Sequence, residues 1–285
     1  MERLASLTQT NLDDLVSSFG WHNSPVLARA VRGIFHFPAQ KFARQVLTFD
    51  ADVAQRGLSL AASDLFDQFA QSLQVFGAQN IPASGPALFL SNHPGMVDTL
   101  ALFIAIQRAD LRIPAGERSF LQTLTHVCPH LIFFTTDPVR RMAAVRATAA
   151  HLKSGGAVLT FPAGKIDPDP DVYPGALEAL DDWSESAGVF VRFAPQARII
   201  PTLVRGVLWD KAVKHPLTRL KKTRFEREKL GAAFQLLAHI LFDSRPLRVT
   251  VQFGEPLEVG GMSVDEIHQN VLEQMRHLIN HPPIK

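Results

Sequence analysis

Residues 88–100 read LFLSNHPGMVDTL, an apolar run that ends at Ser91 and is followed at once by Asn92, His93, Pro94, Gly95 and Asp98. His93 and Asp98 stand five positions apart. On an unbroken helix that separation turns one side chain about 140° away from the other, so the two would not meet. Pro94-Gly95 breaks this geometry. A loop folding back through the pair brings the Asp98 carboxylate to one ring nitrogen of His93 and leaves the other free to take a proton. That is the base-and-orienter half of a catalytic triad, with no serine or cysteine nucleophile in the motif. Such a pair suits a reaction in which a substrate hydroxyl attacks an activated acyl carbon. His93 removes the hydroxyl proton, while Asp98 fixes the tautomer and steadies the imidazolium. The competing reading is structural: His93 caps a helix and Asp98 opens the next one.

The surrounding chain must position this pair. Residues 10–78 read as mostly helical, with Asn11 or Asp13 as caps and Pro25 and Pro38 as interruptions. Within them, residues 64–76 (DLFDQFAQSLQVF) repeat Leu65, Phe66, Phe69, Leu73 and Phe76 at helical spacing. Pro82 and Ser84-Gly85-Pro86 mark a turn, after which ALFLS reads as a buried strand. LIFFT at 131–135 is a strand, and Asp137-Pro138 is an N-cap with proline at the first helical position. The helix runs to about Lys153, Gly155-Gly156 ends it, and AVLTF at 157–161 follows as a second strand. Strand, helix, strand is a βαβ unit with parallel strands. Residues 197–204 and 248–253 read as later strands and 264–278 as a closing helix. The expected fold is α/β, a mixed and largely parallel sheet flanked by helices. A helical segment at 1–80 precedes a catalytic domain at 81–285. Functional groups of such sheets gather beyond the carboxyl ends of strands, here in the loops 92–98 and 162–167.

Composition narrows the class. The 285 residues are 46% hydrophobic, which excludes a disordered chain, and the formal net charge of +2 is too small to indicate nucleic acid. The sequence pI leans basic, near 8.8. Cys128 is the single cysteine, so no intramolecular disulfide is possible and a reducing compartment is expected. The start, MERLASLTQTNLDDL, lacks the pattern of a secretory signal, and no apolar run has the length of a spanning helix. His126, Cys128 and His130 are too few for a closed zinc site, and Pro129 breaks their spacing. Asp167, Asp169 and Asp171 alternate like the start of a calcium loop, but Val172 stands where that loop needs glycine. This stretch is expected to be a stiff surface loop, and no metal is expected.

Asn-His-x4-Asp after a strand resembles the first motif of the glycerolipid acyltransferases, the lysophosphatidic acid and glycerol-phosphate acyltransferases. Later landmarks follow in order across residues 80–255. Phe161-Pro162-Ala163-Gly164-Lys165-Ile166 is similar to the family's third motif, Phe-Pro-Glu-Gly-Thr-Arg. Ile199-Ile200-Pro201 is similar to its fourth, and HLIFFTT at 130–136 echoes its second. The resemblance implies that His93 and Asp98 are catalytic. It also implies that Asn92, Gly95, Phe161, Pro162, Gly164 and Pro201 line the substrate site. It implies acyl-CoA or acyl carrier protein as thioester donor, no other cofactor, and a lipid acceptor.

Two departures stand out. Ala163 replaces the third motif's glutamate, and Thr136 stands where the second motif ends in arginine. In the family those residues help to hold a phosphate-bearing acceptor. Variants with Phe-Pro-Ala-Gly resemble relatives that acylate amino-acid lipids, and a lipid-binding protein without turnover is the further alternative. Lys165, Arg140 and Arg141 are candidate replacement cations, the arginines lying in the first turn of a helix whose amides also suit an anion. A lipid acceptor implies an anionic membrane surface, and the expected location is cytoplasmic, peripheral on the membrane face. Residues 25–49 mix Arg29, Arg32, Lys41 and Arg44 with Ile34, Phe35, Phe37, Phe42 and Leu47. Residues 211–229 carry Lys214, Arg219, Lys221, Lys222, Arg224 and Arg227, suited to anionic lipid, coenzyme A phosphates or an acidic carrier protein.

Overall fold

The computed structural model describes residues 2–20 and 24–283, apart from the side chains of Ser18, Phe19, Arg224, Phe225 and Lys229. Three helices lead: α1 (Glu2–Phe19), α2 (Pro25–Arg56) and α3 (Leu58–Phe69). The chain then alternates through β1 (Ala70–Phe76), β2 (Ala87–Ser91), α4 (Met96–Ile106), β3 (Ile113–Gly116), the short α5 (Ser119–Gln122), β4 (Leu131–Phe134), α6 (Pro138–Lys153) and β5 (Ala157–Thr160). It closes with α7 (Ser186–Phe193), β6 (Arg198–Arg205), the short α8 (Asp210–Val213), α9 (Arg224–Phe242), β7 (Leu247–Phe253) and α10 (Val264–Asn280).

The main sheet has the order β1-β7-β6-β2-β5. All its pairs are parallel except β6 with β7. Strand β2 lies inside it, with β5 and β6 on either side, and all four residues of its apolar run are 0% exposed. Ala87 and Phe89 enter the core shared with α2, α3 and α4, while Leu88 and Leu90 enter the one shared with α7 and α10. A strand covered on both faces reads as a continuous apolar run, and it delivers the loop that follows to a fixed place.

The expected unit around α6 is present with one strand more than the sequence suggested. β3 stands between β4 and β5. It pairs in parallel with β4, and a bridge from Arg112 to Val158 ties it to β5. Its sequence, IPAG, combines proline and glycine and carries no strand signal.

The N-terminal part departs further from expectation. Asn11 and Asp13 lie inside α1 and cap nothing: Asn11 is buried and its amide donates to Ala39 C=O of α2, and Asp13 pairs with Arg32. Pro25 opens α2, but Pro38 sits inside that helix without ending it. An interior proline costs about 3 kcal/mol. Phe42, Val46, Phe49 and Val53, buried on the same helix, each return about 1.5–3 kcal/mol, so packing prevails. The helix expected over 64–76 stops at Phe69. Leu65, Phe66 and Phe69 are its buried face, while Leu73 and Phe76 belong to β1, an edge strand paired with β7. The first eighty residues thus supply a strand of the sheet as well as its covering helices.

Candidate active site

Where β2 ends, the chain turns through Pro94-Gly95 and returns as α4, with Asp98 in its first turn. His93 Nδ1 lies 3.1 Å from Asp98 Oδ1 and 3.0 Å from Oδ2. The same carboxylate accepts the Gly95 N–H at 2.8 Å and the Thr99 hydroxyl at 2.9 Å. Opening a helix and orienting a histidine are therefore one role of Asp98, not competing ones. Asp98 is 0% exposed, whereas the His93 side chain is 31% exposed and no hydrogen bond engages its Nε2 among the described residues. Phe161 covers the imidazole at 4.5 Å between ring centroids.

Charges around the ring set its basicity. Burial pulls the His93 pKa down, but the charge and hydrogen bond of Asp98, helped by the charge of Asp167, outweigh it and hold the pKa above the ordinary histidine value. Arg118, exposed at the N-cap of α5, opposes them.

Asp167 grips the same residue through the backbone. Its Oδ2 accepts the His93 N–H at 2.9 Å, and its own N–H donates to His93 C=O at 3.0 Å. It is 3% exposed, and among the described residues its Oδ1 completes no hydrogen bond, the Trp183 indole approaching without reaching that geometry. Burial pushes its pKa up to about 6, against the pull of the His93 N–H and of the imidazole charge. Asp169, 0% exposed, accepts the N–H groups of Asp171, Gly206, Val207 and Leu208. The loop expected at the surface is thus mostly interior: two of its carboxylates hold the loops beyond β2 and β6, and only Asp171 is solvent-exposed, paired with Arg205. Its alternate aspartates were visible in the sequence, but their partners are backbone amides far along the chain.

The other expected site residues divide. Phe161 and Gly95 stand beside His93 in the roles just described. Gly164 turns the same loop with φ +62°, the left-handed region that favours glycine, and its N–H donates to Phe161 C=O. Pro162 is buried and its C=O accepts the Ser184 N–H. Asn92 is not free for substrate: its amide donates to Val204 C=O and accepts Val204 N–H, both at 2.8 Å, extending the β2–β6 pairing by one side chain. Pro201 is buried within β6, paired with Leu90. Lys165 turns outward to Asp182 at 2.7 Å, so its charge is already answered. Arg140 reaches Glu117 at 3.5 Å and Arg141 is exposed, while the Asp137 carboxylate already accepts the Arg140 N–H at the start of α6. Ala163 packs against the core shared with α7 and α10. Cys128 donates its thiol to Leu121 C=O, and burial raises its pKa. Arg118, whose charge acts on His93, carried no signal in the sequence, and Asp167 read there as part of a surface loop.

Behind the 92–98 loop lies a mainly apolar cavity of about 240 Å³, walled by Phe42, Phe69, Val97, Leu208, Ala233 and Leu237. Gln235, on its wall, spends its amide on Trp209 N–H and Val207 C=O.

A carboxylate-held histidine at the carboxyl end of a central strand of a mixed α/β sheet is an arrangement suited to proton transfer. Residues 72–205 match the family model described as Acyltransferase. Among solved structures the chain is similar to the 1-acyl-sn-glycerophosphate (LPA) acyltransferase PlsC from Thermotoga maritima, at 19% identity and a TM-score of 0.51, covering 85% of this chain and 88% of that one. No curated protein sequence matches it. The chain carries an Acyltransferase-family segment at residues 72–205, and the likeness to PlsC shows the fold it shares.

Asp167 makes stability depend on pH in a defined direction. Folded, it keeps its proton to about pH 6, whereas an unfolded aspartate loses it near 3.8. The native state therefore binds more protons across that window, and stability falls as pH rises through it, by about 2–3 kcal/mol. Asp167→Asn removes this loss. The melting temperature of the variant relative to wild type is expected to rise between pH 4 and pH 6.5 and to level off above. A pH-independent difference would contradict the assignment.

Proposed function

We propose that the protein transfers a fatty acyl group from a thioester, acyl-CoA or acyl-acyl carrier protein, to a hydroxyl of a glycerolipid-type acceptor, with His93 as general base. The observation that carries this reading is the His93–Asp98 pair, with Nδ1 held at 3.0 Å and Nε2 unengaged. Nε2 takes the hydroxyl proton as the oxygen attacks the thioester carbon. The new ester forms, the carbon–sulfur bond breaks, and the imidazolium returns the proton to the departing thiolate. The buried Asp98 carboxylate keeps Nδ1–H pointing at itself and stabilises the positive ring. A second reading of the acceptor, an amino-acid lipid or other headgroup without phosphate, is favoured by Ala163 and by the Lys165–Asp182 pair, which leave this loop without an unspent cation.

The apolar cavity behind Gly95–Val97 takes the acyl chain in this reading. It adjoins the loop that carries the base, and the polar groups of Gln235 on its wall are spent on backbone. The membrane face is formed by α2. Val26, Ile34 and Phe37, exposed by 78%, 70% and 64%, follow one helical stripe beside the exposed Arg29. Phe242 at the end of α9 joins them where Lys41 Nζ bonds Ile240 C=O. Leu220 and Lys221 adjoin through Gly20, which the Lys221 ammonium abuts. The remaining residues of the basic segments are partly spent: Arg32 on Asp13, Arg44 on Gln40, Lys214 on Asp210, Arg227 on Lys221 C=O, while Phe42 is core. The side chain of Arg224 lies outside the described residues. Among the described residues no helix is long and apolar enough to cross a membrane.

Three experiments test this reading. With labelled acyl-CoA or acyl carrier protein and a panel of lysophospholipid and amino-acid-lipid acceptors, His93→Ala is expected to lose about 10²–10⁴-fold in kcat. The wild-type rate is expected to rise with pH through a midpoint above the usual histidine value, and Asp98→Asn to lower that midpoint along with the rate. Turnover that survives His93→Ala removes the histidine from the mechanism. Ala233→Phe, which fills the cavity, is expected to shift donor preference to shorter chains by about tenfold in kcat/KM, roughly the cost of two displaced methylenes; an unchanged chain-length profile would place the acyl chain elsewhere. In flotation with anionic vesicles at low salt, wild type is expected to float and a Phe37→Ser/Ile34→Ser variant to remain at the bottom. Equal flotation of both would dismiss the α2 face.

A further inference from the structure

Asp167 spends stability without completing its own hydrogen bonds. A carboxylate retained purely for folding would have both oxygens satisfied, as Asp169 does with four backbone N–H groups. Asp167 has one oxygen on the His93 N–H, while the other, approached by the Trp183 indole, completes no hydrogen bond among the described residues. Its reciprocal backbone bond to His93 C=O closes a ring around that single residue, and the loop it ends begins with Phe161 on the imidazole face. One loop therefore holds both the backbone and the ring of the base.

We propose that Asp167 is a positioning residue of the acyl-transfer reaction, which fixes the His93 backbone and places a second negative charge beside the imidazole as that ring becomes positive. This rests on the reading of His93 as the base. The ring needs its positive form only transiently, after the hydroxyl proton arrives, and a fixed carboxylate lowers the energy of that state without accepting the proton itself. The charged groups acting on His93 are Asp98 from α4, Asp167 from the 161–167 loop and Arg118 from the N-cap of α5; Phe161 covers the ring and carries no charge. Asp98 serves Nδ1 directly, and Asp167 acts through the backbone and through space, so the two are separable by substitution.

Asp167→Asn keeps an oxygen for the His93 N–H and removes the charge; Asp167→Ala removes both. For the full-length protein, Asp167→Asn is expected to lower kcat about tenfold, the equivalent of one pKa unit on the ring, with the acceptor KM unchanged. It is also expected to move the acid limb of the pH–rate profile downward. Asp167→Ala is expected to fall further, to about a hundredfold, because the His93 N–H is left unpaired in the interior. Titration of the His93 ring by NMR gives a readout independent of turnover, and its midpoint is expected to drop in Asp167→Asn. A wild-type ring titration in Asp167→Asn, or a raised acceptor KM with kcat intact, overturns the proposal. Activity retained by His93→Ala would instead overturn the reading of His93, and the ring titration still decides whether Asp167 acts on the imidazole.

Discussion

The buried carboxylate of Asp98 is the interaction on which the site depends. It is 0% exposed, and it avoids the penalty of an unpaired buried charge because three donors converge on it: the Gly95 N–H, the Thr99 hydroxyl and His93 Nδ1. Two of those donors belong to the start of α4, whose exposed amides favour negative charge in the first turn. The helix start thus supplies donors to the carboxylate, and the carboxylate orients the histidine. If α4 were displaced by one residue, the Pro94-Gly95 turn would no longer bring the ring and the carboxylate together. The apolar faces of α4 and β2, sealed by Leu102, Phe103 and Phe89, therefore hold the His93–Asp98 geometry as well as the core.

A second constraint operates between loops. Asn92 reaches β6 through Val204, Asp167 holds His93, and Asp169 holds residues 206–208. Gly206 has φ +76°, and a Cβ there would meet Arg248 C=O at 2.2 Å, so the close approach of this loop to β7 requires glycine. These side chains work as substitutes for strand pairing past the point where the strands diverge. The carboxylates and the amide thereby keep His93 fixed where the strands part.

What was legible in the sequence follows from the range of the interactions concerned. The His93–Asp98 pair, the Asp137 cap with Pro138 and the strands β2 and β5 are fixed by neighbours within a few residues, and local spacing reveals them. Strand β1 was hidden because Leu73 and Phe76 continue the helical spacing of Phe66 and Phe69; only pairing with β7, more than 170 residues on, selects extended backbone there. Pro38 misled for the same reason, since the faces of α1 and α9 that hold α2 together across it are distant in sequence. The aspartates at 167 and 169 read as solvated because prolines separate them. Those prolines also remove donors from the segment, so its carboxylates satisfy the amides of other loops.

Recognition of the acceptor follows a different logic from activation of its hydroxyl. Activation needs one geometry, and here it is built from buried groups that leave little freedom. Recognition in a phosphate-binding enzyme needs cations at the loop facing the base, and in this chain Lys165 is turned to Asp182 while Ala163 packs into the core. Arg118 is the cation whose field His93 senses, and it acts to lower the ring's pKa against Asp98 and Asp167. An anionic headgroup drawn to Arg118 would cancel that opposition and raise the basicity of the ring in the loaded enzyme. A neutral or zwitterionic headgroup would leave it in force. On the reading of His93 as the base, acceptor charge and base strength would thus be coupled through one exposed side chain.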